Sequence, residues 1–231
     1  MSSEKNSPKN VGELFDERVQ EYDLFVRSTV IGYDEIRGSI TDLVRLYLPA
    51  DSSPRVLDLG IGTGNTSLAV LEACPRATIV GYDASPNMVQ KARERLKEFN
   101  IEVICDDILN IDYQNEFDLA VSSIVYHHLD DTSKERGYKK IFDVLKEGGF
   151  FILADVMLSN DVSLNQLLEQ RWAEFMEQKR GAEFRDSILG LEDKHHQYAA
   201  LNNNLQYLAN QGFRTEVYWR KMNSAIICGF K

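Results

Sequence analysis

Five residues, Gly60-Ile61-Gly62-Thr63-Gly64, follow the apolar run Arg55-Val56-Leu57-Asp58-Leu59, and they leave this chain few folds to choose from. A strand that ends in alternating glycines and runs straight into a helix-compatible segment from Asn65 must turn sharply. Glycine is needed where a Cβ would strike the returning backbone or an approaching ligand. The helix that follows directs its unbonded N–H groups and the positive end of its dipole into the same crevice. Such a turn suits a carboxylate and a phosphate equally well, so alone it does not choose the ligand.

The rest of the chain repeats the strand-then-helix order. Thr78-Ile79-Val80-Gly81-Tyr82 reads as a second strand. Ser85-Pro86 reads as the N-cap and first position of a helix whose apolar side carries Met88, Val89, Ala92, Leu96 and Phe99. Residues 101–105, 117–124 and 149–154 are further strands, and strands alternating with helices predict a doubly wound, mostly parallel α/β sheet. Upstream, residues 14–27 are helix-compatible, and Ile36, Ile40, Leu43, Val44 and Tyr47 mark one face of a second helix. Downstream, 156–201 is charged and helical without strand signals. It is followed by a helix over 202–210 stopped by Gly212, and by two β-rich stretches, 215–219 and 224–229, read as an antiparallel edge hairpin. The chain thus divides into a tail and lid helix (1–34), a cofactor-binding part (35–155), a helical insertion forming an acceptor-side lid (156–201), and a terminal helix with the edge hairpin (202–231).

Composition narrows the partners. With 231 residues, one domain with a modest subdomain buries a sufficient core. The net charge of −10, from 36 acidic and 26 basic side chains with no Lys/Arg run, disfavours a nucleic-acid partner. Cys74, Cys105 and Cys228 have no metal-type spacing, so no metal is expected; Cys105 and Cys228 fall in strands and read as small core residues of a protein in a reducing compartment. No stretch approaches the ~18 consecutive apolar residues of a membrane span. The expectation is a cytoplasmic protein acting on a small molecule, with self-association into a homodimer left open.

Asp83, at the end of the second strand, discriminates among ligands, because a carboxylate there accepts both hydrogen bonds of a ribose diol. A nicotinamide dinucleotide site favours a third glycine where this chain has Asn65, which reads instead as a helix cap.

Val56 to Gly64 resembles the first signature of the class I S-adenosylmethionine-dependent methyltransferases. Gly81-Tyr82-Asp83-Ala84-Ser85-Pro86-Asn87-Met88 looks like the second, Asp106-Asp107-Ile108 the third, and Lys146-Glu147-Gly148-Gly149 the turn before the fifth strand. The resemblance implies a seven-stranded Rossmann-like sheet whose last strand is antiparallel, in agreement with the seven strands counted above. It also implies S-adenosyl-L-methionine as cofactor and methyl transfer to an unidentified, small-molecule acceptor. Carried over by position, Gly60, Gly62 and Gly64 would serve the methionine portion, Asp58 the turn backbone or the cofactor's ammonium, and Asp83 the ribose. Ala84 and Met88 would meet the adenine face, Asp107 and Ile108 its edge, and Ser122 the methionine side. Phe15-Asp16-Glu17-Arg18-Val19, Arg27-Ser28 and Gly32-Tyr33 are similar to the carboxy-S-adenosylmethionine synthase family of tRNA modification, which would bring Tyr33 over the cofactor. The arginine with which that family holds its extra carboxylate matches Tyr207 here. A phenol lacks the charged fork of a guanidinium, so ordinary S-adenosylmethionine is expected. A non-catalytic cofactor-binding subunit is the alternative of a different class.

Methyl transfer from a sulfonium is an in-line displacement, served by alignment and exclusion of water. If the acceptor must lose a proton, Tyr126, His127 and His128, just after the fourth strand, are the catalytic candidates. Trp172, Phe175, Met176 and Phe184 are expected as core more than as acceptor pocket.

Overall fold

The computed structural model describes residues 21–195 and 197–231, without the side chains of 191–195. The tail and the Phe15–Val19 motif therefore lie outside the described residues. Helices α1 (Tyr22–Thr29) and α2 (Tyr33–Tyr47) precede β1 (Arg55–Leu59), α3 (Asn65–Ala73), β2 (Thr78–Asp83), α4 (Pro86–Leu96) and β3 (Ile101–Cys105). Then come a short 3-10 turn (Ile108–Asn110), β4 (Phe117–Ser123), a second such turn (Tyr126–His128), α5 (Asp131–Val144) and β5 (Leu145–Val156). Helices α6 (Val162–Arg180), α7 (Ala182–His195) and α8 (Leu201–Asn210) lead to the hairpin β6 (Arg214–Lys221) and β7 (Ser224–Phe230). The seven strands lie in the order β3-β2-β1-β4-β5-β7-β6. β1 to β5 pair in parallel and β7 is antiparallel between β5 and β6, which bears out the doubly wound sheet with its edge hairpin. No helix among the described residues is long and apolar enough to cross a membrane.

Local chemistry sets several boundaries. The Ser85 hydroxyl accepts the Met88 N–H and Pro86 occupies the first turn, so α4 starts where the cap and the proline dictate. It stops at Leu96, and Phe99 is exposed rather than on its buried face. Gly64, left-handed at φ 88°, takes the cap position of α3; Asn65 is the first helical residue, and its amide reaches sideways to Asp23 and Thr63. Cys105 is exposed at the end of β3, not a core residue as its strand pattern suggested.

One core lies between the sheet and α2, α3 and α4, and a second between the other face and α5 and α8. A third joins Ile31, Trp172, Met176 and Ile188, with Phe25, Phe175, Phe184 and Leu189 packed around them. The aromatic residues of 162–189 are therefore the core of a helical unit built from α1, α6 and α7. The Trp172 indole N–H donates to the Thr29 carbonyl and ties α6 to the end of α1.

Candidate active site

The strand order reverses between β1 and β4, and at such a point the carboxyl ends of two parallel strands part to leave a crevice. The glycine turn lies in it. The Gly60 and Ile61 N–H groups donate to the Tyr82 carbonyl at 2.8 and 2.9 Å, which anchors the turn to β2. One Asp83 oxygen accepts the Gly62 N–H at 2.8 Å and the other the Ser85 N–H at 2.9 Å, so this carboxylate joins the turn to the start of α4. All three glycines have positive φ, but for different reasons. A Cβ on Gly60 would meet Val125 at 2.3 Å and one on Gly64 would meet Leu96 at 2.7 Å, whereas one on Gly62 finds nothing nearer than Tyr22 at 3.8 Å. Of the three, only Gly62 has room beside it for a Cβ.

Asp58, one residue before the end of β1, is 1% exposed. One of its oxygens accepts the Ser67 hydroxyl at 2.6 Å, and the other is buried without a hydrogen-bond partner. Burial raises its pKa to about 7, against the Ser67 hydrogen bond and with a smaller contribution from Asp83. An orphaned acid oxygen costs free energy until a donor or cation meets it. The unfolded chain holds this carboxyl at 3.8, so between pH 4 and 7 the folded state binds a proton that the unfolded state has released. Stability without ligand should therefore fall as pH rises through that window. Melting curves from pH 4 to 8 should show this decline flattened in Asp58→Asn, and equal slopes in the two proteins would remove Asp58 as its source.

The cleft over the turn is lined by Tyr22, Tyr33, Gly60, Ile61, Gly62, Thr63, Asn65, Thr66, Ser123 and Ile124. Tyr33, expected there, is the first residue of α2; burial is the main reason its hydroxyl is pushed up to about 12. Tyr22 and Ser123 were not expected. The Ser122 hydroxyl instead donates to the Leu59 carbonyl inside the sheet, because adjacent strand residues face opposite sides and Ser122 has the wrong parity for the cleft. Ile124 is left-handed at φ 61°, a strained conformation for a β-branched residue, and it turns the chain so that Val125 packs on Gly60. Farther along, Ala84 is exposed beside Asp83, and Met88 and Ile108 are buried. The Asp107 carboxylate caps the first 3-10 turn through the Leu109 N–H.

The three acceptor-side candidates separate. Tyr126 points into the second core, stacked on Tyr138 with ring centroids 4.8 Å apart, so its placement is that of a packing residue. His127 is 5% exposed; its Nδ1 lies 2.6 Å from Asp155 and its backbone N–H donates to the same carboxylate at 2.9 Å. The His128 ring is 4.0 Å from that of His127. Asp155, near the end of β5, carried no sequence signal, because its partner is 28 residues away. The Lys134 ammonium, on a side chain 1% exposed, donates to the Leu129 and Gln197 carbonyls, and the Gln197 N–H donates to His127. Burial lowers the pKa of this lysine. Tyr207 sits on α8, half-buried beside α5 near Asp131, and is not among the residues lining the cleft.

Residues 56–149 match the family model for a methyltransferase domain. An uncharacterized methyltransferase of Bacillus cytotoxicus is 31% identical over 68% of this chain and 72% of its own length. A carboxy-S-adenosyl-L-methionine synthase of Nautilia profundicola is 25% identical over 98% of this chain and 97% of its own. Among solved structures, human N-acetylserotonin methyltransferase in complex with SAM superposes with a TM-score of 0.64 at 21% identity, covering 94% of this chain and 56% of that one.

Proposed function

Since this chain belongs to the class I S-adenosylmethionine-dependent methyltransferases, we propose that it methylates a small molecule held between the glycine turn and the α1, α6, α7 cap. The observation that carries the reading is the Gly62 N–H held by Asp83 at the β1/β4 crevice, with the buried Asp58 carboxyl, one of its oxygens orphaned, two residues before the turn. An open glycine, an acceptor pair and a buried acid suit a ligand with a ribose diol and a cationic amine. S-adenosylmethionine, when bound, supplies a methyl group on a sulfonium. The chain's own part is then to hold, align and keep dry. Gly60, Gly62 and Gly64 shape the methionine site, with Asp58 for the ammonium; Asp83 serves the ribose, Ala84 and Met88 the adenine face, Asp107 and Ile108 its edge, and Tyr33 closes over the top. Where the acceptor carries a proton to be lost, His127 is the base, and Asp155, by accepting from Nδ1–H, leaves Nε2 as its basic nitrogen.

A second reading, carboxy-S-adenosylmethionine synthesis in tRNA modification, is favoured by the end-to-end match to the Nautilia synthase and disfavoured by Tyr207 at the place of that family's carboxylate-binding arginine. Calorimetry should show S-adenosylmethionine and S-adenosylhomocysteine binding in the low-micromolar range, roughly −7 to −8 kcal/mol, with none for NAD. The opposite preference defeats the cofactor assignment. Mass spectrometry of the ligand released from freshly purified protein separates the two enzymes: a carboxylated cofactor selects the synthase, and the ordinary cofactor or its demethylated product the methyltransferase.

A further inference from the structure

The glycine turn is held from outside its own sheet. Asp23, in the first turn of α1, accepts the Thr63 hydroxyl at 2.8 Å and the Asn65 amide at 2.7 Å on one carboxylate oxygen. Its other oxygen meets Arg95 of α4 at 3.1 Å, and the same guanidinium donates to the Thr63 carbonyl at 3.3 Å. Thr63 and Asn65 are both buried, so their donors have little recourse to water if this carboxylate is removed. Burial alone would raise the Asp23 pKa, but Thr63, Asn65 and Arg95 outweigh it and hold the carboxyl below its ordinary value.

The same short helix reaches both halves of the site. Beside Asp23, Tyr22 stands over Gly62. One to two turns later Phe25 packs into the cap core, and Thr29 receives the Trp172 indole N–H from α6. The cap is tied again at its far end, where Gln197 bonds the backbone of His127 and the ammonium of Lys134. An acidic residue in a helix's first turn also favours that helix through its dipole, but this local role requires neither Thr63 nor Asn65.

We propose that Asp23 is a positioning residue for methyl transfer: from α1 it holds the glycine turn through Thr63 and Asn65, so that the turn and the cap over the acceptor become ordered together. This rests on the cofactor binding at the glycine turn. Filling the cleft beside Gly62 then stabilises the arrangement of Thr63 and Asn65 that Asp23 grips, and α1 passes the ordering to α6 and α7.

The test uses the full chain, S-adenosylhomocysteine as probe, calorimetry for affinity and hydrogen exchange for order. In the wild type, saturating probe should protect 60–66 and 162–195 together. In Asp23→Ala, affinity should fall by about tenfold or more, the loss of charge-assisted contacts, and at saturation the turn should gain protection while 162–195 does not. Asp23→Asn, which keeps an acceptor for Thr63 and Asn65 and the shape of the side chain, should restore the joint protection, and it serves as the informative variant if the alanine protein fails to fold. Cap protection in Asp23→Ala equal to that of the wild type overturns the proposal while leaving the cofactor reading intact. Failure of the wild type to bind the probe overturns both.

Discussion

Gly60→Ala is expected to abolish calorimetric binding of S-adenosylhomocysteine at concentrations that saturate the wild type, and to lower the melting temperature by roughly 5–15 °C. Two costs add. The residue sits at φ 72°, where a side chain costs ~1–2 kcal/mol. A Cβ there would also lie 2.3 Å from one Val125 methyl and 3.0 Å from the other, an overpacking of ~1–3 kcal/mol. Val125 has little room to retreat, because Ile124 before it is already left-handed and its N–H is bonded to the Ala154 carbonyl at 2.8 Å. The turn has to give instead, and with it the Gly60 and Ile61 bonds to Tyr82. Gly62→Ala is the informative comparison, since its Cβ carries the strain of φ 54° but meets Tyr22 only at 3.8 Å, ordinary contact rather than a clash; that protein should fold and lose affinity. Wild-type affinity in Gly60→Ala would mean that the turn is not the binding element.

The largest loss of stability should come from the acceptor side, at Asp155→Ala. This substitution strips His127 of both its side-chain and its backbone acceptor in a place where neither partner is more than 5% exposed. Breaking a buried pair of this kind costs about 3–5 kcal/mol, or roughly 6–20 °C in melting temperature for a chain of this size. Affinity for S-adenosylhomocysteine should stay within about threefold of the wild type, a change of under ~1 kcal/mol. With an acceptor that needs deprotonation, the transfer rate should fall by about 10²–10⁴. If the cofactor affinity collapses while stability is kept, Asp155 belongs to the cofactor subsite and the assignment of His127 as base fails.

Much of this was legible where the determining interaction is short in sequence. The Ser85-Pro86 cap, the order of strands and helices, and the need for glycine at three turn positions follow from backbone sterics and from hydrogen bonds spanning two or three residues. The position of Asp83 at the end of β2 was legible too, because the apolar run of that strand stops there, whereas its bond to the Gly62 N–H, 21 residues away, was not. Asn65 was misread as a cap because the turn's own Gly64 takes that place, and a left-handed glycine there leaves no sequence signal different from a packing glycine.

What the sequence alone determined, then, is the α/β alternation and the glycine turn, properties of local backbone geometry and of periodic burial, while the class of cofactor came from the resemblance of its motifs to a known family. Only the tertiary structure decided which side chains meet across the cleft. Ser123 faces it and Ser122 does not, because the parity of β4 depends on how the sheet is covered. Asp155 reaches His127 across 28 residues, Asp23 reaches Thr63 across 40, and Trp172 reaches Thr29 across 143. Tyr207, in line with a ligand-binding position by sequence, lies beside Asp131 and away from the cleft. Such pairings arise from strand order and helix packing, which bring together residues whose own neighbourhoods in the chain carry no trace of each other.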